Sequence, residues 1–519
     1  MQKHRILWVD DEIDGLKPHL LFLEEKGYIV EGVPSGHDAI ERVDEQDFDL
    51  IFLDEMMPGM DGLETLEKIK ASHPNVPVVM VTKSEEESLM EMAIGQKIDD
   101  YLVKPVNPSQ VLMVVKRILD KRKIREDHMS RQYVQHFRHL EDLRVGGLDW
   151  DDWVEVHRRL SEWDLEIDQY RGVGLAQTHR EHRKNWNFEF SKYIERHYAG
   201  WLAEENNRPL LSVDVVRKHI FPLLQKKIQV IFVIIDCMRL DQWLALEPLI
   251  AEDFVVERNY YCSILPTATP FSRNALFAGL YPDDIAKLYP DAWKLNSGES
   301  SRNRNERQLM DAQLESLGLK FEHEPKYVKV LEITEGESLA RKLNQYKDTP
   351  LLSVVYNFLD HLVHGRSESE ILKEIAPDEA AFRTLMKSWF QHSSLYDMLK
   401  QLSKWDCRVV ITTDHGAVLG GRGTIARGRR DASTHLRYKY GENLGCDSKA
   451  AVKIDDPALY RLPAFTRYTN YIFAREDYYF IYQTNFHEYE RQFRGSFQHG
   501  GISMEEMILP VATLTPKGR

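Results

Sequence analysis

The chain of 519 residues lacks any long hydrophobic run. No apolar stretch approaches the ~20 residues that a membrane-spanning helix needs. The N-terminal MQKHRILWVDDE passes straight into a strand pattern, without the apolar segment of a secretory signal. We therefore expect a cytoplasmic protein with no membrane span.

Cysteine is scarce as well. The four cysteines, Cys237, Cys262, Cys407 and Cys446, show no metal-ligand spacing. Reduced thiols in a reducing compartment fit this usage best. No internal repeat or low-complexity tract is present either, which excludes a repeat architecture.

Positive charge is not in excess, because 68 Lys and Arg face 82 Asp and Glu, for a formal net charge of −14. This balance argues against general coating of nucleic acid, although one basic pocket stays compatible with it. A DNA-binding regulator is disfavoured, since no helix-turn-helix pattern follows the first segment. The length predicts two to four domains.

The first segment alternates strand and helix patterns. Its candidate strands lie at 5–9, 28–31, 49–53, 77–81 and 99–103. Five such units predict a doubly wound parallel sheet with its functional side chains at the C-terminal strand ends. Asp10, Asp11 and Asp54 fall at those ends and would form an acidic nest for Mg²⁺, which prefers oxygen ligands.

The motifs ILWVDDE, LIFLDEMMPGMDG, VVMVTK and DDYLVKP resemble response-regulator receiver domains over about residues 3 to 122. The resemblance implies Asp54 as the phosphorylation site, the Met56 carbonyl as a further Mg²⁺ ligand and a sensor histidine kinase as partner. It also implies that Lys104 and Thr82 bind phosphoryl oxygens and that Tyr101 is the aromatic switch. A degenerate receiver that no longer takes phosphate is the alternative.

From about Val106 the pattern is helical for nearly a hundred residues. A first helix begins near Pro108, VGGLDWDD breaks it, and Asp149 can cap a second helix from Trp150. A third helix runs from about Gln169 or Arg180 to Trp201. The aromatic residues recur at helical spacing, which indicates a small packed bundle rather than a stacking platform for bases.

Unalternating apolar runs begin again at Val230, as in a parallel sheet buried on both faces. Residues 281–326 are polar and are expected to cover a site, and residues 416–448 form a glycine- and arginine-rich loop. Seven side chains able to bind metal or attack phosphorus follow in order: Asp236, Thr269, Asp360, His364, Asp414, His415 and His499. Mixed carboxylate and imidazole ligation favours Zn²⁺, and paired metals suit phosphoester hydrolysis.

The motifs DCMRLD, LPTATPFSR, TDHG, ARGRR and HGGISMEE resemble the PglZ-type branch of the alkaline phosphatase superfamily. The resemblance implies an α/β domain that hydrolyses phosphoric esters with two zinc ions. One zinc would be held by Asp236, Thr269, Asp414 and His415. The other would be held by Asp360, His364 and His499.

Two threonines compete for the role of nucleophile. In related phosphodiesterases the attacking threonine lies ten residues before the glycine of a TGLYP-like turn. Thr269 lies ten residues before Gly279 in AGLYP, so we prefer Thr269 over Thr267. Candidate substrate contacts are Arg427, Arg429 and Arg430 in the arginine-rich loop, and Arg239 and Arg273 beside the metal motifs, because guanidinium groups bind phosphate bidentately.

The fold class predicted is multidomain α/β: a flavodoxin-like receiver (1–122), a helical bundle linker (123–206) and an alkaline-phosphatase-like domain (207–519). This order resembles PorX-type response regulators, a family linked to type IX secretion. We predict that Asp54 phosphorylation drives homodimerisation and controls a di-zinc phosphodiesterase for cyclic or linear oligonucleotides. The absence of a C-x-P-x-R sulfatase signature is consistent with diesters. The alternative is a phosphorylation-dependent interaction protein that binds a sigma factor or a secretion component.

Overall fold

The computed structural model describes residues 4–83, 98–169, 174–206, 208–291, 293, 303–428, 435–481 and 486–518. The chain divides into two compact units, residues 1–139 and 140–519. The domain boundaries at 122 and 206 stay predictions, and each compact unit is considered by itself below.

The first unit contains a five-stranded parallel sheet in the order β2-β1-β3-β4-β5. Its strands are β1 (Arg5–Val9), β2 (Ile29–Val33), β3 (Leu50–Asp54), β4 (Val78–Thr82) and β5 (Asp100–Val103). Its helices are α1 (Lys17–Glu25), α2 (Gly36–Glu45), α3 (Gly62–Ser72) and α4 (Pro108–Val145), the last of which runs on past residue 139. This is the flavodoxin-like arrangement that the sequence predicts.

Both faces of this sheet are buried, because successive residues of a strand point to opposite sides. In β1, Leu7 and Val9 belong to one hydrophobic cluster, and Ile6 and Trp8 belong to another. The strand bounds agree with the predicted ones to within about two residues.

The second unit begins with two linker helices, α5 (Trp150–Gln169) and α6 (Leu175–Ala203). Asp149 accepts a hydrogen bond from the Asp152 backbone N–H at 3.0 Å, which is the predicted cap. Trp153 and Trp186 are buried and pack edge to face, with ring centroids 5.8 Å apart. The aromatic residues of these helices therefore form core, as expected, and that core also contains sheet residues such as Phe232 and Val511.

A six-stranded mixed sheet of order β7-β18-β10-β6-β9-β8 forms the centre of this unit. Its strands are β6 (Gln229–Ile235), β7 (Phe254–Cys262), β8 (Lys326–Val330), β9 (Leu351–Tyr356), β10 (Cys407–Thr412) and β18 (Ile508–Pro516). β10, β6, β9 and β8 are parallel, whereas β18 is antiparallel to β10 and β7. The parallel strands thus end at one edge, where ligands bind in such sheets.

Helices cover the sheet and build its edge. They are α7 (Phe221–Gln225), α8 (Leu240–Ile250), α9 (Thr269–Ala278), α10 (Pro282–Leu288), α11 (Glu306–Ser316), α12 (Ile333–Arg341), α13 (Phe358–Glu368), α14 (Glu370–Ile375), α15 (Glu379–Gln391), α16 (Ser394–Leu402), α17 (Phe486–Phe493) and α18 (Met504–Met507). No helix among the residues described is long and apolar enough to cross a membrane.

The sequence predicts a loop over residues 416–448. In the structure this segment also contributes three short strands. Small sheets form from β11 (Val418–Leu419), β12 (Arg422–Ile425), β13 (Tyr438–Glu442), β14 (Ala451–Ile454), β15 (Thr469–Ala474), β16 (Tyr478–Ile481) and β17 (Phe497–Gln498). β11 pairs with β17, β12 with β16 and β13 with β15. Each partner lies tens of residues further along the chain, so a local sequence window does not reveal the pairing.

Candidate active site

The candidate metal ligands of the second unit meet at the C-terminal edge of its main sheet. Asp236 directly follows β6, and Asp414 lies two residues after β10. Asp360 and His364 lie on α13, one helical turn apart, so both face the same side. The six ligands form two groups, in each of which the ligand atoms lie within 4.8 Å of one another: Asp236, Asp414 and His415, and Asp360, His364 and His499.

The first group is organised around the imidazole of His415. Its Nε2 lies 3.6 Å from Asp236 Oδ1 and 3.7 Å from Asp414 Oδ2. Its Nδ1 lies 3.1 Å from the Gly416 carbonyl, which can only accept, so Nδ1 carries the proton. The Nε2 lone pair therefore points at the carboxylates, as a metal ligand requires.

The ligand atoms of the second group also lie close together. Asp360 Oδ1 lies 3.3 Å from His364 Nε2 and 3.7 Å from His499 Nε2, and the two Nε2 atoms are 3.3 Å apart. His499 Nδ1 faces the Thr267 carbonyl at 3.3 Å, which again leaves Nε2 unprotonated. The rings of His415 and His499 stack at 4.2 Å, so the two groups adjoin.

The residues present fit a pair of divalent cations. Among the residues described, Asp236 Oδ1, Asp360 Oδ1 and both carboxylate oxygens of Asp414 are buried without a hydrogen-bond partner. Such burial is costly unless a cation compensates it. Burial, with the charges of Asp414 and Asp360, raises the pKa of Asp236 well above its usual value, against the effect of Arg273. Burial and the neighbouring His415 lower the pKa of His499, which keeps this imidazole neutral.

A second layer of residues fixes Asp236. Its Oδ2 accepts hydrogen bonds from Arg273 Nη1 at 2.5 Å and from Asn357 Nδ2 at 2.9 Å, and Oδ1 stays available. Arg273 in turn donates from Nε to the buried carboxylate of Glu306 at 2.6 Å. Partners of this kind orient a metal ligand and set its basicity.

The two candidate nucleophiles lie in different environments. The Thr267 hydroxyl is buried, donates to the Gly501 carbonyl at 2.9 Å and accepts from the Gly500 N–H at 3.1 Å. Thr269 is the first residue of α9 and is only partly buried. Its hydroxyl lies 2.9 Å from His415 Nε2, at the first metal group.

The candidate arginines differ in burial and in their binding partners. Arg239 is buried and binds the carboxylates of Asp241 and Glu379, so its donors face structural partners rather than a substrate. Arg273 is engaged with Asp236 and Glu306, as described above. Arg427 is exposed and pairs through its backbone with Gly445, whereas Arg429 and Arg430 lie outside the described residues.

The receiver unit has its own acidic group. Oxygen atoms of Asp10, Asp11 and Asp54 lie within 4.8 Å of one another. Lys104 Nζ lies 2.8 Å from Asp10 Oδ2 and 2.9 Å from Asp54 Oδ2. Burial raises the pKa of Asp54, the hydrogen bond from Lys104 opposes this, and the charge of Asp10 adds to it. The arrangement can hold a hard cation beside a carboxylate able to accept a phosphoryl group.

The switch residues predicted for this unit are also located. The Thr82 hydroxyl donates to the carboxylate of Glu55. Tyr101 is 40% exposed, and the side chain of Met56 points outward, which leaves its backbone carbonyl as the group relevant to a cation.

Sequence reasoning missed two residues of the second layer. Asn357 directly follows the apolar strand β9, and a polar residue at a strand end of this sheet is a usable signal. Glu306 lies in a polar segment 33 residues from Arg273, and nothing in its neighbourhood points to that contact.

Comparison with protein families gives three matches in chain order. Residues 6–116 match the response regulator receiver domain, and residues 123–202 match the PorX response regulator linker domain. Residues 215–514, more than half of the chain, match the BREX system PglZ alkaline phosphatase-like domain.

Individual relatives resemble only part of the chain. The transcriptional regulatory protein ResD of Bacillus subtilis is 36% identical over 115 residues, which are 22% of this chain and 48% of that protein, so the chain spans about half of it. The transcriptional regulatory protein SrrA of Staphylococcus aureus is 32% identical over 192 residues, 36% of this chain and 79% of that protein.

A solved CheY-like receiver domain protein from Methanospirillum hungatei is 32% identical and covers 23% of this chain and 96% of its own, with a TM-score of 0.23.

The family matches cover both compact units. The chain belongs to the PglZ alkaline phosphatase-like family and has the receiver, linker and PglZ domain order of a PorX-type response regulator.

Proposed function

We propose that this chain is a cytoplasmic response regulator in which phosphorylation of Asp54 controls a di-zinc phosphodiesterase acting on nucleotide-type substrates, cyclic or linear. The observation that carries the proposal is the meeting of two ligand groups beside one hydroxyl. His415 and His499 stack between the groups, and the Thr269 hydroxyl lies 2.9 Å from His415 Nε2.

Zinc is the metal that we propose, because each group combines carboxylate oxygen with imidazole nitrogen. Bound as a pair, the metals would neutralise charge on a phosphoryl group and lower the pKa of the Thr269 hydroxyl. Asp236, Asp414 and His415 would hold one ion, with Thr269, and Asp360, His364 and His499 the other.

The chain supplies the nucleophile and its orientation. Thr269 begins α9, so the positive end of the helix dipole favours negative charge on its oxygen. Attack forms a bond between Thr269 Oγ and phosphorus, and the bond to one alcohol leaving group breaks. Water then cleaves the phosphoryl-threonine ester and releases a phosphomonoester. Arg273 holds Asp236 in place throughout, together with Asn357.

A nucleotide as substrate is supported by aromatic rings close to His499. Tyr438 packs against Gly500, where an added Cβ would lie 2.3 Å from a ring carbon of Tyr438. The partly exposed ring of His435 stacks on Tyr438, with centroids 4.3 Å apart and planes at 11°. Tyr438 itself is fully buried, so the ring of His435 is the one that could stack on a base.

Control by phosphorylation is supported by the acidic group at Asp54 and by the domain order. A sensor histidine kinase is the expected phosphoryl donor. The PorX-type order supports a role connected with type IX secretion, in which a sigma factor or a secretion component is a candidate partner of the phosphorylated form.

The test is hydrolysis of a panel of linear and cyclic dinucleotides by zinc-loaded protein, with zinc content measured by elemental analysis. We expect about two zinc ions per chain, as in two-metal hydrolytic sites, and loss of one with His364→Gln. His361→Gln is the matched control, because His361 is an exposed histidine on the same helix. Zinc-loaded protein that cleaves no member of the panel would favour the interaction-protein alternative.

A further inference from the structure

The short helix α18 lies between the two segments that carry the histidine ligands. Glu505 and Gly416 approach so closely that a Cβ on Gly416 would lie 1.9 Å from the Glu505 carbonyl oxygen. The Gly416 N–H also donates to the Glu506 carbonyl at 3.3 Å. Because Gly416 directly follows His415, α18 supports the first metal group.

The same helix supports the second group. Glu506 Oε1 accepts a hydrogen bond from the Gly501 N–H at 2.8 Å, two residues after His499. Its other oxygen accepts from Ser503 at 2.7 Å and from Arg437 at 2.6 Å. A shift of α18 would therefore displace both His415 and His499.

Linker helix α6 holds α18 through two buried side chains. Asn187 Oδ1 accepts from the Met504 N–H at 2.8 Å, and its amide nitrogen donates to Glu505 Oε2 at 2.9 Å. Arg183 Nη1 donates to Glu505 Oε1 at 2.8 Å. The Met504 N–H and the Glu505 carboxylate therefore depend on the linker for their hydrogen bonds.

Arg183 is itself held in place by other residues of the linker helices. Arg183 also binds Asp164 of α5, and Asp164 faces His179 at 3.0 Å. Asp168, further along α5, accepts from Arg383, which also binds Asp241 at 2.7 Å. Asp241 is five residues after Asp236, so the linker reaches the segment of a third ligand as well.

We propose that Asn187 and Arg183 are positioning residues for the metal centre, which act by holding α18 against Gly416 and Gly501 and thereby placing His415 and His499. The proposal rests on the proposed function, because it concerns the same metal ligands. The linker is then a structural component of the metal centre in addition to being a connection to the receiver.

The test measures metal binding rather than activity alone. Zinc affinity of the full chain is determined by competition with a chromophoric chelator, and the ligand geometry is followed by the visible absorption of the Co²⁺-substituted protein. Loss of a direct hydrogen-bond partner of a metal ligand typically weakens metal binding about 10- to 100-fold, and residues that act through an intervening helix should fall at the lower end, about 10-fold. We expect a weakening of that size and a changed Co²⁺ spectrum for Asn187→Ala and for Arg183→Lys.

Ile194→Ala is the matched control, because Ile194 is buried on the same helix and belongs to the hydrophobic core rather than to the polar contacts with α18. It should lower the melting temperature while leaving zinc affinity and the Co²⁺ spectrum unchanged. If Asn187→Ala does not fold, Arg183→Lys, which keeps the charge, decides the question. Normal zinc binding by the folded linker variants, or an equal loss in Ile194→Ala, would overturn this inference alone. Wild-type protein that binds no metal would overturn the proposed function with it.

Discussion

The hydroxyl of Thr269 and Nε2 of His415 lie 2.9 Å apart, whereas the Thr267 hydroxyl two residues earlier is bound to the backbone of Gly500 and Gly501. Thr269 faces the candidate metal site, and Thr267 supports the segment that carries His499. The two hydroxyl groups therefore predict different mutant phenotypes.

We predict that Thr269→Ala abolishes phosphodiester hydrolysis and leaves zinc content nearly intact, because carboxylates and imidazoles supply most of the ligands. Thr267→Ala should weaken zinc binding, because it removes two hydrogen bonds beside His499. Activity on a dinucleotide and zinc content, measured on both variants, separate the roles. An active Thr269→Ala protein with an inactive, zinc-replete Thr267→Ala protein would reverse the assignment.

Glu306→Gln should weaken zinc binding roughly tenfold, the lower end of the loss for direct partners of metal ligands, because Glu306 acts through Arg273. The substitution removes the negative charge that holds the buried Arg273 in line with Asp236. Asp311→Asn is the control, since this carboxylate lies on the same helix and is exposed. Chelator competition on the two variants checks the prediction, and equal affinities would contradict it.

Phosphorylation of the receiver is predicted to drive monomer to dimer. Acyl phosphate on Asp54 adds charge that Lys104 and Thr82 can bind, and this should shift Tyr101 and the surface of the fourth and fifth receiver helices. Phosphorylation favours the dimer because only the phosphorylated form presents the surface that is buried between the two copies. The fifth of these receiver helices corresponds to α4, and the segment between β4 and β5 falls largely on residues 84–97, which lie outside the described residues.

Light scattering with Mg²⁺ and beryllofluoride, a mimic of the acyl phosphate, measures this change. The mass of the wild type should double, and that of Asp54→Ala should stay that of a monomer. A response of equal size in Asp54→Ala, or none in the wild type, would contradict coupling through Asp54.

His157 predicts a pH dependence of stability. It is fully buried on α5, neither ring nitrogen has a hydrogen-bond partner among the described residues, and the charged groups facing it are Glu505, Arg183, Asp241 and Arg239. Burial lowers its pKa from 6.5 to about 4. Below pH 6.5 the unfolded chain therefore binds a proton that the folded chain takes up only near pH 4, so stability falls as the pH falls through this window.

Between pH 7.5 and 5.5 this difference amounts to about 1 kcal/mol. His157→Gln should lose less stability than the wild type over that range, as followed by thermal melting of the full chain. His392→Gln, at an exposed histidine, serves as the control. Parallel losses in wild type and His157→Gln would contradict the assignment.

The sequence predicts those parts of the site that local pattern determines. Asp236 and Asp414 follow apolar strands, and parallel strands bring such ends together. Asp360 and His364 are four residues apart and share a helix face. The contact between Asn187 and Glu505 joins residues 318 positions apart, and its geometry depends on how the linker packs on the sheet. No local window contains that information, and the same holds for the antiparallel pairing of β18.

Trp153 of α5 and Phe232 of β6 belong to one hydrophobic core, so the linker helices cannot be separated from the sheet without exposing it. A fragment that starts near residue 207 would leave the sheet without the aromatic residues of α5 and α6 and would expose apolar surface. Gene fusions that exchange the sensory module therefore need to join the chain before α5. The linker helices and the PglZ domain therefore form one folding unit, which any exchange of domains has to keep intact.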